Sequence, residues 1–165
     1  MKTLSLAALL VALPLSAQAE LRVKFDEGAP KDRFTIRNAG KCTIKDAQIT
    51  VDLSGSKSGL IFDVTSAGAG VEVFQPLDIV AGRQSLSKIP KVRDGDKKIV
   101  FDVRELSAGK SLAFTIDVDD TVGTREITVS GSEIEGAGVR FKGAEMSGFG
   151  NFSTNARAVV KTPSC

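Results

Sequence analysis

Asp117, Asp119 and Asp120 are the residues whose types and spacing could do chemistry. They close the run Thr115-Ile116-Asp117-Val118-Asp119-Asp120-Thr121. Alternate residues of a strand share a face, so Asp117 and Asp119 point the same way. Asp120 then starts a turn toward Gly123. Three carboxylates gathered at a strand end repel one another unless something offsets their charge. A hard cation is one answer, because Ca2+ takes several oxygen ligands from clustered carboxylates and loop carbonyls. An ion pair with Arg125 or a neighbouring lysine is a second, and full solvation at the end of a sandwich is the third. The run lacks the DxDxDG spacing of a calcium loop, so the alternatives stay open.

The missing residue types exclude more than the present ones assert. The chain has no His, no Trp and no Tyr. Without His there is no imidazole base, no Ser-His-Asp triad, no Cys-His pair and no ordinary zinc, copper or haem site. Without Trp or Tyr the usual platforms for stacking sugars or bases are absent. The nine Phe sit at positions expected to pack in the core or in turns. No catalytic residue is assigned. The remaining enzymatic chemistry is hydrolysis by two carboxylates, as in glycosidases. That chemistry wants a carboxylate in an apolar setting that raises its pKa, and the sequence pattern offers no such carboxylate.

Location and redox state follow from the ends of the chain. Lys2 precedes the apolar run Leu4 to Leu15, which is too short to span a bilayer, and Ala17-Gln18-Ala19 reads as a small-x-small cleavage site. Residues 1–19 are therefore expected to be a cleaved export signal of bacterial style, with residues 20–165 forming one domain in the periplasm or the medium. Removing 19 residues from 165 leaves 146, enough for one sizeable core. With Lys2 gone, 21 basic residues face 20 acidic ones, a net charge of +1. This balance, with lysines and arginines scattered along the chain, argues against nucleic acid as a partner. No second apolar stretch approaches membrane length, so stable membrane insertion after cleavage is not expected. An even pair of cysteines behind an export signal, Cys42 and Cys165, implies a disulfide that pins the C-terminal tail. No CxxC spacing suggests a redox role.

The elements that must position these residues are strands. Apolar residues recur with period two in Leu21-Val23-Phe25, Phe34-Ile36, Ile49-Val51-Leu53, Val71-Val73 and Ile99-Phe101-Val103. Leu112-Phe114-Ile116-Val118 is the clearest case, and Ile127-Val129, Val139-Phe141 and Ala158-Val160 follow. Turn residues separate them, as in Asn38-Ala39-Gly40, Asp94-Gly95-Asp96 and Ala108-Gly109-Lys110. Short strands at roughly ten-residue spacing predict an all-β, antiparallel β-sandwich, immunoglobulin-like or related, in a single domain. Gly59 to Val64 and Val71 to Pro76 read as a hairpin joined by the small residues 67–70. Lys88 to Lys98 reads as a solvated loop. Met146 to Asn155 reads as a loop packed onto the sandwich end by Phe149 and Phe152.

Four stretches together resemble a known family: Glu27 to Phe34, Asp52-Leu53-Ser54-Gly55-Ser56, Gly59 to Pro76, and Phe114 to Thr121. They are similar to small exported proteins of marine alphaproteobacteria that carry the label "aggregation factor core". The similarity covers almost the whole chain after the signal, Cys42 and Cys165 included. It implies a role in cell aggregation or adhesion, by analogy with calcium-dependent adhesion proteins, and brings no catalytic residue. Phe34 to Gly40 leading to Ala47 to Leu53 is also similar to bacterial adhesion-type immunoglobulin-like modules.

The resulting expectation is an exported, non-catalytic β-sandwich acting through its surface on a cell-surface or matrix component that the sequence leaves unknown. No cofactor is expected, with Ca2+ at Asp117, Asp119 and Asp120 left open as one reading of that cluster. A calcium-stabilised structural module and a carboxylate-based hydrolase are the alternatives.

Overall fold

A computed structural model describes residues 18–66, 74–122 and 129–164. Ten strands follow in chain order: β1 (Gln18–Asp26), β2 (Asp32–Asn38), β3 (Ile44–Asp52), β4 (Ile61–Asp63), β5 (Asp78–Ala81), β6 (Lys98–Leu106), β7 (Ser111–Asp119), β8 (Gly138–Lys142), β9 (Ser147–Asn151) and β10 (Arg157–Ser164). They form two antiparallel sheets packed face to face, the expected all-β sandwich. The first sheet runs β10-β1-β2-β7-β4, with β5 also on β7, and the second runs β6-β3-β8-β9. Among the described residues no helix is long and apolar enough to cross a membrane. The expected signal falls mostly outside the described residues, and β1 begins two residues ahead of the expected new N-terminus, Glu20.

Period two sets the core. Leu112, Phe114, Ile116 and Val118 of β7 are buried, and so are Phe34 and Ile36 of β2 and Ile99, Phe101 and Val103 of β6. Phe34 lies directly opposite Phe114, and their rings stack with centroids 4.9 Å apart. Phe101 of the other sheet meets Phe114 at 4.8 Å, so these three rings tie the two layers together. Burying three such side chains is worth roughly 1.5–3 kcal/mol each, and their offset and tilted contacts add to it.

Three local expectations need correction. The stretch 59–64 forms a strand at Ile61–Asp63, and its partner among the described residues is β7. Residues 74–77 hold no strand, and Val71 and Val73 lie outside the described residues, as does Ile127. Met146 to Asn155 is not a loop, because Ser147–Asn151 is a strand paired with β8. Gly150 has a packing reason: a Cβ there would sit 2.2 Å from the Val159 carbonyl oxygen, so only glycine lets β9 approach β10 this closely. Phe152 is buried as expected. Phe149 is 53% exposed and Phe74 70% exposed, so not every Phe is a packing residue.

One edge of β7 is shared by two strands. β4 pairs with residues 117–119 and β5 with residues 113–115. The chain leaves this edge after Asp63 and rejoins it at Asp78. This interrupted edge brings carboxylates together.

Candidate functional site

The site forms where β4 meets the C-terminal end of β7. Asp63 lies directly opposite Asp117, and Ile61 directly opposite Asp119. Opposed residues share a face, so Asp63, Asp117 and Asp119 point to the same side of the sheet. One carboxylate oxygen from each of the three lies within 4.8 Å of the others. Backbone bonds on both sides of β4 hold the arrangement. The Thr121 N–H donates to the Ser58 carbonyl (3.2 Å), and its hydroxyl donates to the Gly59 carbonyl (2.7 Å). Gly59 has φ +63°, a left-handed turn that glycine adopts without strain. On the other side Phe62 N–H donates to the Asp96 carbonyl (2.8 Å), and Gly95 N–H to the Phe62 carbonyl (3.0 Å).

Asp63 is the unusual member. It is wholly buried, and neither of its carboxylate oxygens accepts a hydrogen bond. Its nearest electrostatic neighbours are Asp119 and Asp94, both acidic. Burial, followed by the charges of Asp119 and Asp94, pushes its pKa up to about 7. Asp117 is raised to about 6, first by burial and then by Asp119, with the Val118 N–H and Lys31 opposing. Asp32, at the start of β2, is buried and raised to about 7, again mainly by burial. Its oxygens accept from Gly28 N–H (3.1 Å) and Val118 N–H (3.2 Å), which opposes the rise. Asp94 is the contrast. The Thr65 hydroxyl donates to it, as do the N–H groups of Val64 (2.7 Å) and Thr65 (2.9 Å), and these bonds hold its carboxyl below the usual range. Lys31, whose charge acts on Asp117, is engaged by the Pro76 carbonyl and by Asp78. No described lysine or arginine forms an ion pair with Asp32, Asp63 or Asp117.

The expected triad of Asp117, Asp119 and Asp120 is thus re-formed. Asp117 and Asp119 stay together as the alternation requires. Asp120 is buried but is not in the close group, and Asp63 takes its place. Arg125, the suggested counter-charge, lies outside the described residues. The expectation that no carboxylate stands in a pKa-raising setting is overturned by Asp32, Asp63 and Asp117. Asp63 escaped sequence reading because its neighbours were assigned to a local hairpin. The available signal was an acid ending the short apolar run Leu60-Ile61-Phe62.

Chemically, three carboxylates on one face could hold a hard cation. Oxygens that share a Ca2+ at about 2.4 Å can be no more than about 4.8 Å apart, which this group satisfies without rearrangement. Ca2+ at this place would be held by Asp63, Asp117 and Asp119.

Cys42 sits half-buried before β3, and its carbonyl accepts from the Asn38 side chain (2.7 Å). No free cysteine occurs among the described residues, and Cys165 lies outside them. The fold and site together define an all-β sandwich with an acidic group at an interrupted sheet edge. Compared with known proteins, the chain matches no family model, no curated relative and no solved structure.

Proposed function

We propose that this chain is an exported, non-catalytic β-sandwich module that acts through its surface, in aggregation, adhesion or envelope and matrix contacts. Ca2+ bound by Asp63, Asp117 and Asp119 stabilises it. The observation that carries the cation is Asp63, a wholly buried carboxylate whose two oxygens accept no hydrogen bond. An isolated buried charge of this kind costs several kcal/mol, and a cation shared with two further carboxylates removes that cost. Export and adhesion rest on the signal-like N-terminus and the family resemblance. For the hydrolase alternative, Asp63 is a poor partner, because its oxygens are closed to solvent.

The disulfide belongs to the same reading. Ser164 lies opposite Gln18 on β1, and Ala39 N–H donates to the Glu20 carbonyl of the same strand (2.7 Å). The end of β10 and the segment that carries Cys42 thus converge on one end of β1, which supports pairing of Cys42 with Cys165.

The test is thermal unfolding of the exported protein in metal-free buffer and with added Ca2+ or Mg2+, alongside a cell-surface pull-down with and without Ca2+. Ca2+ at 100 times its dissociation constant should add roughly 2.7 kcal/mol of stability. Asp117→Asn with Asp119→Asn should remove the shift. Mg2+ should act weakly, because it demands a tighter octahedral shell. An unmoved melting curve at millimolar Ca2+ removes the cation from the proposal. A pull-down that recovers nothing in either condition removes the adhesive role.

A further inference from the structure

The outer face of β10, β1 and β2 sets two like-charged opposed pairs between the opposite-charged pairs Glu20–Lys161 and Asp26–Arg33. On β1 the side chains of Arg22 and Lys24 are exposed while Leu21, Val23 and Phe25 are buried. The registers place Arg22 directly opposite Arg37 of β2, and Lys24 directly opposite Arg157 of β10. Like charges directly opposite one another weaken a sheet, and here two such pairs stand side by side. Across the second sheet the opposed charges have opposite signs: Lys45 faces Glu105, and Lys98 faces Asp52 at 2.9 Å. Glu20 and Asp26 pair with Arg22 and Lys24, but no described carboxylate forms an ion pair with Arg33, Arg37 or Arg157. Arg22, Lys24, Asp26, Thr35, Arg37 and Arg157 line a shallow groove of about 600 Å³, four basic side chains against one acidic one.

We propose that this groove binds an acidic polysaccharide, with its repeated carboxylates or sulfates lying across Arg22, Lys24, Arg37 and Arg157. The proposal rests on the surface-acting reading for its compartment and names the partner of that surface by chemistry. Guanidinium groups donate to carboxylate and sulfate oxygens two at a time, which three arginines and a lysine repeat across neighbouring strands. Neighbouring strands lie about 4.8 Å apart and same-face residues about 6.7 Å apart along a strand, a pitch on the scale of single sugar rings. Nucleic acid fits less well. A face built only of strand side chains presents no helix or ribbon that enters a duplex groove. A membrane surface fits less well too, because Val159 is the only large apolar side chain protruding here, and a bilayer anchor needs a larger apolar face.

Binding of the disulfide-intact exported protein to a polyuronate and to dextran sulfate, measured by calorimetry in metal-free buffer, tests this apart from Ca2+ and from any cell assay. Neutral dextran, duplex DNA and anionic vesicles serve as comparators. At least one acidic polymer should bind, and the polymer that binds tells carboxylate from sulfate recognition. Affinity should fall as salt rises from about 50 to about 300 mM, because screening shortens the reach of exposed charges. Arg22→Ser with Arg37→Ser should weaken binding by roughly tenfold or more, since charge-assisted bidentate contacts are lost, without lowering the melting temperature. Lys45→Ser with Lys142→Ser, which removes the same charge from the opposite sheet, should leave affinity within about twofold. Equal losses in the two double variants would overturn the proposal in favour of net charge alone. So would tighter binding to DNA or vesicles, or no binding to either acidic polymer at about 50 mM salt.

Discussion

Asp63→Asn should stabilise the metal-free protein at pH 8, the reverse of what removing a buried side chain usually does. The substitution keeps the size of the side chain and removes a charge that has no partner. The carboxyl has an ordinary value of 3.8 in the unfolded chain and about 7 in the folded one. Below 3.8 it is protonated in both states and neutral for stability. As pH rises from 3.8 to 7, the unfolded chain loses the proton while the folded chain keeps it, so folding is progressively disfavoured. At 1.36 kcal/mol per unit, a shift of about three units amounts to up to about 4 kcal/mol above pH 7, of which about 3 kcal/mol accrues between pH 5 and pH 8. Asp32 and Asp117 are raised too and act in the same direction, so the wild type should melt lower at pH 8 than at pH 5 without metal. The variant should recover part of that loss, up to roughly 10 °C for a domain of this size. Ca2+ should reverse the order: the wild type gains stability, while Asp63→Asn, having lost a ligand, gains little. Melting by circular dichroism at both pH values, metal-free and with Ca2+, reads all four conditions. An Asp63→Asn variant equally destabilised at pH 5 and pH 8, or stabilised by Ca2+ as much as the wild type, would refute the reasoning.

Two further predictions follow from the fold. Phe114→Asp should cost at least about 3–5 kcal/mol, because it removes a ring that joins both sheets and buries a charge, whereas Thr115→Asp on the opposite face should be nearly neutral; equal losses by chemical denaturation would contradict the assigned faces. Cys42 and Cys165 should be joined in freshly exported protein, and non-reducing peptide mass spectrometry that finds two free thiols would refute the pinned tail.

Alternation along the chain determined which side of each strand is apolar. Leu112, Phe114, Ile116 and Val118 are buried as their spacing required, and Asp117 and Asp119 share the other face. The sandwich class was legible for the same reason, since short alternating runs between turns have few ways to bury their apolar sides. Strand partners were not legible. Ile61–Asp63 pairs with a strand more than 50 residues further on, and only that register sets Asp63 opposite Asp117. Asp120 looked equivalent to its neighbours because sequence adjacency stood in for spatial adjacency. Ser147–Asn151 escaped detection because its glycines lower strand propensity, and the reason for Gly150, the backbone of Val159, lies on another strand. The opposed Arg22 and Arg37 were hidden in the same way within two ordinary amphipathic strands. A side chain's face is a property of local backbone geometry and survives in the sequence. The neighbour it meets across the sheet depends on non-local hydrogen bonding, which only the folded chain decides.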